Sequence, residues 1–352
     1  LVASLFLFAC STGDDSAAMV AAAKESLAKK DAKTAVIQLK SSLQKTPDSA
    51  EARFILGKTF LEMGDVRAAA IELQKARDLN IDQEVVVPLL ARALAAAGQS
   101  RKVTAEFAGI KLSSVDAKVD LMTTVATSNI AQGNLESGRS GLDAALQLKP
   151  NYARALFALA KLKLKKGDFD GALGSIDRAI EATPADPWAW ALKGEIGLAQ
   201  GNADAAQVAL RKALEIQPEN ISANFSLINL LLQQDRRDEA TKLFEVMKKA
   251  APQFPQTIFL DARLAYLRKD YKSAGELTQV LLRFAPDSPV FLELSGVVKY
   301  EQGSYIQAEA DLAKALQAQP QLMLARSALI QTYLRTGQQS KAIEALQPVM
   351  SE

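Results

Sequence analysis

Prolines fall at Pro150, Pro184, Pro218, Pro252, Pro286 and Pro320, each 34 residues after the last. A chain that repeats at a fixed period of this length is a series of stacked supersecondary units, because each unit can cover its apolar face only with its neighbours. Pro47 carries the series backward through Ile81 and Val115. A second series of turn positions runs Gly64, Gly98, Gly133, Gly167, Gly201, Asp235, Lys269, Gly303 and Gly337. It slips by one residue between Gly98 and Gly133, and the slip is expected in a connecting loop near Ser114 to Lys118. Between the two marks lie stretches of about 14 to 17 residues with apolar positions at helical spacing, so the predicted unit is helix, turn, helix, Pro-containing turn.

Three registers give the hairpin its packing code. The eighth place of each unit reads Ala23, Gly57, Ala91, Ala126, Ala160, Gly194, Ile228, Ala262, Gly296 and Ile330, small in eight units of ten. The twentieth reads Ala35, Ala69, Val103, Gly138, Ala172, Ala206, Ala240, Ala274, Ala308 and Ala342, and a larger side chain there overpacks a close helix crossing. The twenty-fourth holds Leu39, Leu73, Phe107, Leu142, Ile176, Leu210, Phe244, Thr278, Leu312 and Leu346, bulk that fills the space the small residues open. The predicted fold is all-α, an alpha-alpha superhelix: a solenoid of about ten helical hairpins over residues 17–352.

Composition narrows the chemistry. The chain has no His and a single Cys, so a Cys/His zinc site and a His-dependent catalytic arrangement cannot be assembled from it, and no cofactor, metal ligand or catalytic residue is assigned. Lys plus Arg is 42 against 40 for Asp plus Glu, which argues against nucleic acid as a partner, since phosphate binding needs concentrated positive charge.

Leu1 to Ala9 is an uncharged apolar run, too short to span a bilayer and suited to the core of a signal peptide, and Cys10 follows at once. Leu7-Phe8-Ala9-Cys10 resembles the lipobox of bacterial lipoproteins, which implies lipidation of Cys10 and a partial signal peptide over residues 1–10. The competing reading is a buried apolar helix with an incidental Cys. The polar stretch Ser11-Thr12-Gly13-Asp14-Asp15 counts against it and is expected to form a tether over residues 11–16. Ser11 beside the lipidated position leans toward the outer membrane. At the other end, the last unit reaches Glu352 without a polar capping helix, so the array is expected either to fray or to continue.

The 34-residue layout resembles the tetratricopeptide repeat, and this resemblance covers nearly everything after Ser16. It implies that the first helix of each hairpin lines a concave face at the second, fifth, ninth, twelfth and thirteenth places. Those places hold Arg154, Phe157, Lys161 and Lys165 in the fifth unit, Trp188 in the sixth, and Phe225 and Asn229 in the seventh. The eighth adds Phe259, Arg263 and Tyr266, and the ninth adds Tyr300. Two readings stand for these residues: a groove that grips an extended peptide or a sugar face, or ordinary packing of the Phe side chains with a solvated cationic stripe. The two-carboxylate clamp of chaperone-binding relatives is absent, because Phe225 stands where the clamp needs Lys and Asn229 alone fits.

The segments Val36 to Lys40, Leu43 to Asp48 and Ala50 to Lys58 resemble the opening repeats of the tetratricopeptide lipoprotein of PEP-CTERM/exosortase systems. That resemblance implies a lipid-anchored scaffold in the bacterial envelope, on the periplasmic face of the outer membrane, with envelope proteins, extended peptides or polysaccharide-export components as partners. Two alternatives remain open: an assembly factor for pili or outer-membrane proteins, and the recognition arm of an enzyme whose catalytic domain lies further downstream.

Overall fold

Helix starts follow the chemistry of the turns. Asp31, Asp65, Asp168, Asn202 and Asp270 each accept a hydrogen bond from the backbone N–H three residues on, and Pro187, Pro255 and Pro289 occupy first-turn positions where their missing N–H costs nothing. The computed structural model describes residues 12–350. Cys10 and residues 1–11 lie outside the described residues, as do 351 and 352.

The chain divides into two compact units, Leu1–Pro184 and Ala185–Glu352. In the first, the helices are α1 (Thr12–Ala28), α2 (Ala32–Lys45), α3 (Ala50–Glu62), α4 (Val66–Asp78), α5 (Gln83–Ala96), α6 (Ser100–Phe107), α7 (Val115–Ala131), α8 (Leu135–Leu148), α9 (Ala153–Lys165) and α10 (Phe169–Ala182). The second holds α11 (Pro187–Ala199), α12 (Ala203–Ile216), α13 (Ile221–Gln233), α14 (Arg237–Ala250), α15 (Pro255–Leu267), α16 (Tyr271–Phe284), α17 (Pro289–Glu301), α18 (Tyr305–Ala318), α19 (Met323–Arg335) and α20 (Gln339–Met350). Each odd-numbered helix packs on the even-numbered helix after it, and from α3 to α9 and from α11 to α19 the odd-numbered helices of successive hairpins also touch. That second contact forms a first-helix face on each unit.

The packing code operates as the registers require. Ala35, Ala69, Val103, Ala172, Ala206, Ala240, Ala274 and Ala308 at the twentieth place are all fully buried. A Cβ built on Gly194 would come within 2.5 Å of Leu210 Cγ, and one on Gly296 within 2.5 Å of Leu312 Cγ, so the eighth place is empty because the twenty-fourth of the same hairpin fills it. The last unit departs from this rule: Leu346 is 38% exposed, since no further hairpin covers α20 among the described residues.

Two sequence expectations are corrected. Thr12 to Ser16, read as tether, is the first turn of α1; the Ser16 side chain is buried, its hydroxyl 2.8 Å from that of Ser42, and Asp15 pairs with Lys45. The two hydroxyls, with one proton each to donate, lie within hydrogen-bond reach of each other and of the opposite backbone carbonyls across the α1/α2 pair, which anchors a segment whose composition suggests mobility. The one-residue slip lies earlier than Ser114 to Lys118: Ser114 caps α7 and 115–118 form its first turn, while α6 is cut to eight residues and the loop 108–114 carries the irregularity. A cavity of about 340 Å³ lined by Phe107, Ile110, Met122 and Gly141 accompanies the shortened helix.

Candidate functional site

On the first unit, the predicted cluster on α9 is partly tied up within the protein. Arg154 pairs with Asp120 of α7, and Asp120 also accepts from the Tyr152 hydroxyl at 2.8 Å and lies 3.9 Å from Arg92. Desolvation, and secondarily the charge of Arg92, push the Arg154 guanidinium down to about 10. Phe157 is half-buried, with the Lys161 ammonium 6.0 Å from its ring centre, while Lys161 and Lys165 are exposed to solvent. This side of the unit carries a cleft of about 620 Å³ whose walls include Phe54, Lys58, Glu84, Asp116, Asp120 and Tyr152.

On the second unit, five predicted residues converge. Phe225 and Asn229 on α13 and Phe259, Arg263 and Tyr266 on α15 line one cleft of about 630 Å³, closed by Val290, Glu293, Leu294 and Val297 of α17 and Leu324 of α19. The rings of Phe225 and Phe259 lie 6.2 Å apart, and Phe291 continues the ridge 5.9 Å from Phe259. Those separations suit tilted aromatic contact. The Arg263 guanidinium donates to Asn229 Oδ1, and the Asn229 amide donates to the Phe225 carbonyl at 2.8 Å. Burial pushes the Arg263 pKa down, partly offset by the charge of Glu293. Burial raises the Glu293 carboxyl, opposed by a hydrogen bond from the Ala325 N–H at 2.9 Å and by Arg263. The Tyr266 phenol is raised by burial first, then by Glu301 and Tyr271.

Trp188 and Tyr300 are not among the residues lining that cleft. Trp188 is half-exposed at the start of α11, its N–H accepted by the Asp186 carboxylate at 2.9 Å, and Tyr300 contacts Tyr305 at 5.6 Å between ring centres. Glu293 was missed by sequence reasoning although it occupies the fifth place of the ninth unit; continuing the Phe157, Phe225, Phe259 column one step finds it. Leu324, at the second place of the tenth unit, was missed in the same way. Among the described residues no group of three or more Asp, Glu, Cys or His is spaced for a metal ion, and no helix is long and apolar enough to cross a membrane. The second unit's cleft is an apolar concavity with a few fixed polar groups.

Residues 175–290 match the family described as cytochrome c-type biogenesis protein H TPR domain, and residues 129–196 match the family tetratricopeptide repeat. No curated protein matches the chain. Similar solved structures include yeast Tom70, at 15% identity and a TM-score of 0.43, covering 96% of this chain and 92% of that one. Pseudomonas aeruginosa pilF has 17% identity and a TM-score of 0.45, covering 69% of this chain and 95% of that one. A tetratricopeptide repeat protein from Parabacteroides merdae has 18% identity and a TM-score of 0.49, covering 81% of this chain and 98% of that one. Likenesses this distant carry no functional weight. The two overlapping family matches show tetratricopeptide repeats across 129–290, and the 34-residue helical hairpin, with small residues at the eighth and twentieth places under a bulky twenty-fourth, carries the same repeat layout through the other described helices.

Proposed function

We propose that the chain is a scaffold of the bacterial envelope, lipid-anchored through Cys10, that holds a peptide segment of a partner protein in the cleft between α13, α15, α17 and α19. The observation that carries the binding half is the convergence of Phe225, Asn229, Phe259, Arg263 and Tyr266 on one apolar concavity. Exposed apolar concavities of this size on a folded domain are characteristic of recognition sites. The anchor is supported by the lipobox-like Leu7 to Cys10, and service in exopolysaccharide production or export by the resemblance of residues 36–58 to PEP-CTERM-associated lipoproteins.

A pull-down with the protein from solubilised envelopes tests the scaffold, with polysaccharide-export or sorting components expected among the captured proteins. Mass spectrometry of the mature amino terminus tests the anchor, and a Cys10 without an acyl group removes it. The match of residues 175–290 to a cytochrome c biogenesis domain favours a second reading, an assembly factor for other envelope proteins. Deletion separates the two: loss of extracellular matrix supports the first, and loss of piliation, porin insertion or cytochrome maturation supports the second.

A further inference from the structure

The second unit's cleft contains two opposite charges that do not pair. Arg263 on α15 and Glu293 on α17 are close enough to feel each other's charge, yet no ion pair joins them among the described residues. Each is held by something else. The Arg263 guanidinium is fixed on Asn229 Oδ1, itself fixed on the Phe225 carbonyl, and the Glu293 carboxylate is fixed on the Ala325 N–H at the start of α19. Neither can swing to the other without giving up a bond. Both keep unused capacity, since a guanidinium has five N–H donors and a carboxylate about four acceptor sites.

The rest of the wall is Phe225, Phe259, Val290, Leu294, Val297 and Leu324. An occupant must therefore offer apolar surface to most of the cleft, an acceptor to Arg263 and a donor to Glu293. A net charge of either sign gains from one of the two groups and is repelled by the other. A backbone peptide unit has one N–H and one C=O pointing in opposite directions, carries no net charge, and alternates its side chains to either side when extended.

We infer that this cleft takes an uncharged, extended peptide segment whose backbone bridges Arg263 and Glu293 while its apolar side chains lie on the Phe225–Phe259 ridge. The inference rests on the binding reading above and deepens it by naming the chemistry of the bound segment. Acidic tails and basic tails are discriminated against by the second charge, not by shape. Preorganisation through Asn229 and the Ala325 N–H means that little side-chain freedom is lost on binding.

The test uses the full chain and fluorescently labelled heptapeptides of alternating leucine and serine, acetylated and amidated so that they are neutral. Fluorescence anisotropy compares them with versions carrying two aspartates or two lysines. The neutral peptide is expected to bind at least about tenfold more tightly than either charged version. Arg263→Gln should weaken the neutral peptide by about tenfold and Glu293→Gln by about three- to tenfold, the range for one ordinary net hydrogen bond, since Gln keeps part of the polar contact. N-methylation scanned along the peptide should cost a similar factor at one position, and that loss should shrink in Glu293→Gln. Urea unfolding of each variant verifies that the fold is kept.

Tighter binding of the acidic peptide, strengthened again by Glu293→Gln, would overturn the inference in favour of a single-charge site, and tolerance of N-methylation at every position would overturn the backbone bridge. If no peptide binds while native protein and Arg263→Gln recover the same envelope partner, the inference about this cleft fails and the scaffold reading stands. If native protein recovers no partner either, the scaffold reading fails with it.

Discussion

The two units carry clefts of nearly equal size, about 620 and 630 Å³, which share some first-helix places of the repeat, such as those of Phe54 and Phe225, and they handle charge in opposite ways. In the first unit the acids are already partnered. Glu84 accepts the backbone N–H groups of Ser113 and Ser114 at 2.6 and 3.1 Å, Asp116 pairs with Lys149 at 2.6 Å, and Asp120 holds Arg154 and the Tyr152 hydroxyl. In the second unit Arg263 and Glu293 are positioned by neutral groups and left unpaired with each other. Register therefore tells where a face is, while pairing between neighbouring hairpins tells whether its side chains stabilise the stack or remain available to a ligand.

The comparison presumes one packing scaffold beneath both clefts, and the largest expected effect tests that presumption. Leu142 and Leu210 occupy the twenty-fourth place of one hairpin in each unit and are both fully buried. Leu142→Ala and Leu210→Ala should each destabilise by about 2–5 kcal/mol, from lost burial plus the cavity left behind. Amide hydrogen exchange on α8 and α12 reads the two losses locally, which matters because stacked repeats can open in parts. A loss in one unit less than half that in the other breaks the comparison, since the units then differ in packing as well as in charge.

A smaller effect with opposite signs sharpens it. Asp120→Asn removes the charge that holds Arg154, and should cost about 1–2 kcal/mol after allowing for the partial exposure of the guanidinium. Glu293→Gln should instead leave stability unchanged or raise it at neutral pH. The sign follows from burial: the folded-state pKa of Glu293 lies above its unfolded value, so the charged carboxylate opposes folding at pH above both values. That opposition fades as pH falls through the raised value and is gone below the unfolded one. The advantage of the Gln variant in urea unfolding should therefore shrink steadily as the solution is acidified, and an advantage that grows on acidification would contradict the desolvated environment described for Glu293.

Much of this was legible in the sequence. The places at which α3, α9, α11, α13, α15, α17 and α19 begin follow from the repeat start alone, because turn chemistry and the small-residue registers recur every 34 residues. Thr12 to Ser16 was not legible, since Ser, Thr, Gly and Asp favour loops locally and the tertiary contacts that oppose that preference, Ser16 with Ser42 and Asp15 with Lys45, are not visible in the local sequence. The site was half legible. The first-helix places located Phe225, Asn229, Phe259, Arg263 and Tyr266, but selecting aromatic and cationic types along the column left out Glu293. The same selection hid the partner of Arg154. Asp120 and Arg154 both stand at the second place of consecutive units, and Asn229 and Arg263 both stand at the ninth, so each bonded pair is 34 residues apart. Opposite charges at one place in adjacent hairpins, as at Asp120 and Arg154, mark a charge neutralised within the stack, whereas a neutral amide there, as Asn229 is to Arg263, positions the charge without neutralising it.

The smallest predicted effect concerns the turns. Gly201 and Gly303 join their hairpins with φ of 74° and 76°, and the equivalent positions between α13 and α14 and between α15 and α16 are Asp235 and Lys269, with φ of 58° and 62°. This left-handed conformation suits Gly and brings a Cβ close to the following carbonyl in any other residue. A non-glycine residue also holds this turn in the first unit, Lys30 with φ of 61°, but Asp235 and Lys269 lie in the hairpins that supply Phe225, Asn229, Phe259 and Arg263. Asp235→Gly and Lys269→Gly should each stabilise by about 0.5–1 kcal/mol, the relief of strain exceeding the added freedom of Gly in the unfolded chain. Peptide affinity should be unchanged by either substitution, because the turns lie at the far end of the first helices from Phe225 and Phe259 and are not among the cleft's lining residues. A stabilised variant that lost peptide binding would show instead that the cleft depends on strain at those turns, and availability of Arg263 and Glu293 would then be a property of the hairpin geometry and not of their hydrogen bonds alone.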